Sequence, residues 1–246
     1  MTEIAPVTPD PSGVVSQPRP GFWHLRPRAF FVHLRQRPKW LGISVLLVAG
    51  HAVVSSLMLE TSMQATLLRI PHTASSQDKS EIVIVVRQEH LVRTLLLPLR
   101  LGIGWALFAA LLYGICRSLL PGGSLQFRQV MSLEVHAEFF NLVTRFTIVV
   151  RSIFYSSGDP VTDLVPPLSV AGLVSPDWNF ISRLVFGLIE PFTAGYVLTL
   201  AVGISVFYEI RLSRAFFLAF LAWAFSMFLN ITLVELLRTG LHLRLG

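Results

Sequence analysis

The sequence predicts an all-α protein, a polytopic bundle of helices that spans a membrane. Of its 246 residues, 53% are hydrophobic and only 14% are charged, and the mean hydropathy is +0.63. Soluble domains carry about 25% charged residues. A run of about twenty apolar residues can cross a hydrocarbon layer of roughly 30 Å. The predicted transmembrane helices are residues 41–59, 99–119, 132–153, 184–208 and 215–237.

The first forty residues are rich in proline and then in arginine, a composition typical of a disordered polar arm that ends in a basic collar. The first apolar run begins too far from Met1, and is too long, for a cleaved signal peptide. We therefore expect three segments: a disordered basic arm (1–40), a membrane domain (41–237) and a short tail (238–246).

The distribution of basic residues predicts the orientation, because loops rich in Lys and Arg stay in the cytoplasm. The loop after the second helix carries Arg117 and Arg128, and the loop after the fourth carries Arg211 and Arg214. The arm carries six: Arg19, Arg26, Arg28, Arg35, Arg37 and Lys39. These segments are predicted to be cytoplasmic, with loop 60–98 and the tail outside. The expected location is a bacterial inner membrane with the amino terminus in the cytoplasm.

We expect loop 60–98, which is predicted to be extracytoplasmic, to contain secondary structure of its own. Two apolar stretches, ATLLRI and EIVIVV, flank the polar turn-rich segment PHTASSQDKS. The β-branched residues at 81–86 favour a strand, and so a small β-hairpin. A helix that continues into LVRTLLLPL is the alternative.

Small residues recur every fourth position in two predicted helices. Such stripes allow the backbone of another helix to approach closely, although chance in a Gly/Ala-rich segment also produces them. The second helix has Gly102, Ala106, Ala110 and Gly114, and the fourth has Gly195, Thr199 and Gly203.

The third predicted helix contains the stretch LEVHAEFFNLVTRF at residues 133–146, which is unusually polar for a membrane segment. At 100° per residue, its polar side chains fall within an arc of about 60°. We call them the polar stripe: Glu134, Glu138, Asn141 and Arg145. Because a charge at the bilayer centre costs about 2.5 to 3.5 kcal/mol, the stripe is expected to face protein or water.

His136 lies on the opposite face of that helix, so Glu-x-His-x-Glu cannot converge on a metal ion, and neither metal nor cofactor is predicted. His136 is interpreted as an interhelical or interfacial histidine, with proton transfer as the alternative. Candidate partners of the stripe are Arg183, Glu190, Asn230 and Glu235. The stripe either fixes helix packing or lines a path for protons or a small solute. Packing is favoured because no inverted repeat marks a transporter.

Other function classes lack their usual signals. The net charge of +6 is spread over the ends of apolar runs, so a nucleic-acid partner is not expected. No nucleophile elbow or His-Glu-x-x-His motif is present, and no catalytic residue is predicted. The single cysteine, Cys116, lies within an apolar run.

Three features resemble the bacterial branch of the Yip-domain family, membrane proteins named for interaction with Ypt/Rab GTPases. They are the five-helix layout with a cytoplasmic arm, the turn PGGSLQFRQV before the third helix, and AVGISV followed by FYEIRLSRA at the fourth. The resemblance spans about residues 40–237. It implies a non-enzymatic membrane protein, which in eukaryotes helps to organise vesicle traffic. The Asp-Leu-Tyr-Gly-Pro signature of eukaryotic members is missing, which weakens the case for binding a small GTPase.

The sequence therefore predicts a scaffold or accessory subunit that lies in membrane lipid. Its partner would be another membrane protein or a second copy of itself, bound through the small-residue helix faces. Transport of protons or a small solute past the polar stripe is the alternative function.

Overall fold

A computed structural model describes residues 27–68, 75–120, 125–154, 166–170, 186–187 and 189–245 of the chain. The regular structure in these ranges is helical, and no strand occurs among them. The helices of eight residues or more are α1 (Pro27–Gln36), α2 (Leu41–Leu57), α3 (Leu59–Leu68), α4 (Ser76–Leu95), α5 (Leu97–Leu119), α6 (Phe127–Phe154), α7 (Pro191–Tyr208) and α8 (Leu212–Leu245). The all-α prediction is confirmed.

Helix α6 lies at the centre of the bundle and packs on α2, α5 and α7. Helix α8 packs on α7 and α5. The largest fully buried apolar side chains come from α5, α6, α7 and α8: Leu112, Leu133, Leu200 and Leu218. The core is thus built around the most polar of the predicted membrane helices, a position that keeps the carboxyl groups of Glu134 and Glu138 away from lipid.

Three described helical segments are long and apolar enough to cross a membrane: α5, α7 and Leu212–Leu233 of α8. The pair α1 and α2, bent by 115°, raises the number to four if it forms one broken span. The membrane class is therefore supported, but five spans are not confirmed. Helix α2 has only 17 residues, about 25 Å of rise, and α6 carries acidic and basic residues along its whole length.

The disordered arm predicted for 1–40 is wrong for the part that the structure describes, because Pro27–Gln36 form helix α1. Phe31 and Leu34 of α1 are buried against the bundle. Arg35 forms an ion pair of 2.8 Å with Glu209, just after α7, and its carbonyl accepts a hydrogen bond from Gln129. The basic collar therefore also carries an amphipathic pattern, and the apolar face of α1 packs against the bundle.

The β-hairpin predicted for the first loop is not confirmed, and residues 81–86, its expected strand, lie within α4. A single residue, Leu96, separates α4 from α5, as in the alternative of a helix continuing into LVRTLLLPL. Its side chains include the i,i+4 ion pair between Glu89 and Arg93, an arrangement that supports a helix. β-Branched composition is a weak signal when it competes with such local interactions.

The fourth predicted helix begins later than expected. The prediction places its start at residue 184, but α7 begins at Pro191. Glu190, directly before it, has an extended backbone with φ −144° and ψ 158°. Proline suits the first position of a helix, because the amide hydrogen that it lacks would have had no intrahelical partner there.

Candidate functional site

The polar stripe of α6 faces the interior of the bundle at two of its four positions. Glu134 is 3% exposed and Glu138 is 8% exposed. Each acid meets a polar side chain of a different neighbouring helix. We use the name polar cluster for the five residues that come together here: His51, Glu134, Glu138, Asn141 and Tyr196.

Glu134 pairs with α7. The hydroxyl of Tyr196, which is 5% exposed, donates a hydrogen bond of 2.7 Å to Oε2 of Glu134. The ring of Tyr196 also packs edge-on against Phe108 of α5. This one side chain therefore joins the acid on α6 to two neighbouring helices, and a buried acceptor is satisfied as burial requires.

We expect Tyr196→Phe to lower the free energy of unfolding by about 1 to 3 kcal/mol, because a buried acceptor loses its donor. The measurement is denaturant unfolding of the detergent-solubilised protein. Tyr113→Phe is the matched control, since the Tyr113 hydroxyl accepts a hydrogen bond from Arg117 at an exposed position. Equal losses in the two variants would contradict a specific role for the Tyr196 hydroxyl.

Glu138 pairs with α2 and with its own helix. The Asn141 amide donates a hydrogen bond of 2.8 Å to Oε2 of Glu138. On the other side, Nε2 of His51 lies 3.2 Å from Oε1, at ion-pair distance but without hydrogen-bond geometry. Both oxygens of the carboxylate therefore have a polar neighbour.

His51 is a site residue that the sequence analysis missed, although the sequence carries a signal for it. The side chain is completely buried, and its Nδ1 has no hydrogen-bond partner in the described part of the chain. A single histidine within an apolar run is that signal. Gly50 precedes it, and a Cβ there would lie 2.7 Å from Leu142 Cδ2 of α6. The glycine thus lets α2 approach α6 at the level of Glu138.

Arg145, the fourth residue of the stripe, is exposed and lies outside the hydrogen-bonded cluster. Its charge still interacts with those of Glu138 and of Arg100 on α5. On an α-helix, residues seven positions apart are separated by roughly 10 Å. The four residues therefore lie along one face of α6, but the neighbouring helices cover only part of that face.

The candidate partners of the stripe have other positions. Arg183 lies outside the described residues, and so does the side chain of Glu235. The Asn230 amide donates to the Ser226 carbonyl of its own helix. Glu190 accepts hydrogen bonds from two threonines, Thr144 of α6 at 2.7 Å and Thr193 at 3.4 Å. Glu190 therefore links the start of α7 to α6. Among the described residues, it forms no hydrogen bond with the polar cluster.

His136 stays apart from both acids. Its Nδ1 donates a hydrogen bond of 2.6 Å to the Ser132 carbonyl, since a carbonyl can only accept. Its ring packs edge-on against Phe30 of α1. The side chain therefore sits at the contact between α6 and α1, in a position consistent with an interhelical histidine.

The two small-residue stripes face different surroundings. On α7, a Cβ at Gly195 would overlap the Phe140 ring, and one at Gly203 would overlap Leu133 Cδ1. Both contacts are with α6, whereas Thr199 between them is half-buried. The α7 stripe is thus occupied by a helix of this chain.

The α5 stripe faces outward instead. Nothing lies within 4 Å of a Cβ built at Gly102 or Gly114, and Ala110 is exposed. Gly102 and Ala106 also line an open apolar groove of about 760 Å³ between α5 and α2. The described part of the chain leaves this face without a neighbouring backbone.

The groups of the polar cluster can form hydrogen bonds, pair charges and exchange protons. The described residues contain no group of three or more His, Cys, Asp or Glu side chains placed to hold a metal ion. Cys116 is buried in the core. The cluster offers carboxylates, an imidazole, an amide and a phenol, and it joins α2, α6 and α7.

Comparison with known proteins adds no relative: no family model, no curated protein and no solved structure matches this chain.

Proposed function

We propose that the protein is a non-enzymatic integral membrane scaffold or accessory subunit. It binds a helix of another membrane protein, or of a second copy of itself, on the outward face of α5. The observation that carries this proposal is the open stripe from Gly102 to Gly114 beside an apolar groove. Small side chains let two helix backbones approach closely in lipid, where packing replaces the hydrophobic effect as the driving force.

The polar cluster supports the same function, because the burial of its acids argues against an aqueous transport path. Glu134 and Glu138 are buried, and each has a polar neighbour on another helix. A carboxylate that lines an aqueous path is expected to remain hydrated, because water is the partner that a path supplies. The cluster is accordingly assigned to packing, and the surface proposed for a partner is the outward face of α5.

The proposed topology has five spans, with α2 and α6 crossing in addition to the three more apolar segments. Burial of the α6 acids supports this, since neighbouring helices cover much of its polar face. The excess of basic residues in the amino-terminal segment supports a cytoplasmic amino terminus in a bacterial inner membrane. Membership of the Yip-domain family belongs to the same proposal and rests on the resemblance in helix layout and turns.

A transport component is the second candidate, and His51 is the observation that favours it. An imidazole that is fully buried beside Glu138, with Nδ1 unpartnered among the described residues, could exchange a proton with the carboxylate. Proton flux that depends on Glu138 would distinguish this candidate from a packing role.

Two glycines on one turn of α5 provide the test of the scaffold. Gly102 and Gly104 are both open to a new side chain, but they point about 200° apart. We expect Gly102→Leu to reduce the amount of co-purified partner, or of homo-oligomer, at least about tenfold, which corresponds to 1.4 kcal/mol of lost helix packing. Gly104→Leu should leave it unchanged.

The measurement is native mass spectrometry of the tagged protein after gentle solubilisation of native membranes. Reporting partner and homo-oligomer separately shows which of the two occupies the face. A complex that survives Gly102→Leu, or that is lost equally with Gly104→Leu, would show that the α5 stripe is not the docking face.

A further inference from the structure

We propose that the elbow between α1 and α2 is a binding site for an anionic phospholipid, with the phosphodiester headgroup held by Arg37 and Lys39. A cavity of about 660 Å³ lies at this elbow, within the range of roughly 300 to 1,000 Å³ that small-molecule sites occupy. The glycines of the α5 stripe do not line it. The proposal is therefore independent of the partner proposed above.

The charge of the cavity has one sign. Arg37, Lys39, His33 and His136 line it, and no Asp or Glu does among the described residues. Neither Arg37 nor Lys39 has a carboxylate within 4.0 Å in the described part of the chain, whereas the neighbouring Arg35 is paired with Glu209. Two exposed cations without a carboxylate beside them favour an anionic ligand.

The two histidines contribute less to the recognition of an anion. Nδ1 of His136 donates to the Ser132 carbonyl, so a neutral ring presents Nε2 as an acceptor. The ring then forms part of the wall without donating to a phosphate oxygen. His33 is half-buried, whereas Arg37 and Lys39 are exposed, so Arg37 and Lys39 carry the predicted specificity.

The rest of the wall is apolar and selects a lipid over a free anion. Phe30, Leu34, Leu41 and Ile43 line the same cavity. An inorganic phosphate would leave these side chains without a partner, whereas the glycerol backbone and the first carbons of an acyl chain would cover them. The combination of two cations with an apolar wall matches the two ends of a phospholipid.

The geometry of the elbow places the site at a membrane surface. The chain turns through 115° between α1 and α2, so α1 lies nearer to the membrane plane than to its normal when α2 crosses it. Trp40, at the turn, also lines the cavity, and tryptophan is enriched at the level of lipid headgroups. Anionic lipids are the natural counter-ions for a basic segment there.

The test measures binding of two short-chain lipids to the full-length protein in a neutral detergent by native mass spectrometry. We expect dioctanoyl phosphatidylglycerol to bind at least about tenfold more tightly than dioctanoyl phosphatidylcholine. The double variant Arg37→Gln/Lys39→Gln should lose that preference. The control Arg128→Gln/Arg211→Gln removes the same charge at exposed positions outside the cavity and should keep it.

A second variant fills the cavity without changing its charge. Gly42 lines the cavity, and nothing lies within 4 Å of a Cβ built there, so Gly42→Leu should fold normally and weaken phosphatidylglycerol binding at least about tenfold. Unchanged binding in this variant, or equal binding of the two lipids to the wild type, would overturn the proposal. Displacement of the lipid by excess inorganic phosphate would instead identify a small-anion site, and would also overturn it.

Discussion

His51→Leu is expected to lower the free energy of unfolding by about 3 kcal/mol, because it removes the polar neighbour on α2 from the buried carboxyl group of Glu138. Glu138 would keep only the Asn141 amide as a neighbour from the cluster, in a position where it is 8% exposed. Denaturant titration of the detergent-solubilised protein measures the loss. His90→Leu is the control, since His90 lies on α4, away from the central core.

The double variant His51→Leu/Glu138→Leu should recover at least about 1 kcal/mol relative to the sum of the two single losses. Removing both polar side chains leaves no buried carboxyl group without its neighbour, so the two effects are coupled. Strictly additive losses would contradict a direct interaction between His51 and Glu138.

Substitution of Glu138 distinguishes a packing role from a transport role. In a packing role, Glu138→Gln affects stability, and protein in liposomes conducts protons no better than empty liposomes, with or without the substitution. Wild-type proton flux that disappears in a normally folded Glu138→Gln variant would instead establish the transport component and replace the scaffold proposal.

Gly203→Ala is expected to destabilise the protein by about 1 to 3 kcal/mol, the usual cost of overpacking a filled interior. The added Cβ would overlap Leu133 Cδ1, and Leu133 is only 1% exposed, so its side chain has little space to move into. Helices α6 and α7 would have to separate near the polar cluster. The measurement is again the free energy of unfolding in detergent.

Gly104→Ala is the matched control for this substitution. Nothing lies within 4 Å of a Cβ at Gly104, so alanine adds no clash and gains about 1 kcal/mol of helix propensity at most. A Gly203→Ala variant as stable as the wild type would show that α6 and α7 do not pack as closely as the structure places them.

The polar stripe shows how far periodicity alone reaches. The 3.6-residue repeat places Glu134, Glu138, Asn141 and Arg145 on one arc, and the structure buries the first two while leaving Arg145 exposed. Periodicity relates residues within one helix. It contains no information on which part of an arc a neighbouring helix will cover.

The partners of the stripe could not be predicted from the sequence for the same reason. Tyr196 lies 62 residues from Glu134, and His51 lies on α2, which three other helices separate from α6 along the chain. A tyrosine or histidine in an apolar run signals that a polar partner is needed, but it does not identify that partner. The four partners predicted from polarity alone include neither residue.

The sequence by itself determined the all-α membrane class, because composition and the length of apolar runs are sums over residues that need no contacts. Only the tertiary structure decided that α1 docks on the bundle, that the α7 glycines are covered while the α5 glycines stay open, and that His51 meets Glu138. These features depend on the relative placement of helices far apart in the chain. Placement follows from the close packing of whole helix faces, which no local pattern records.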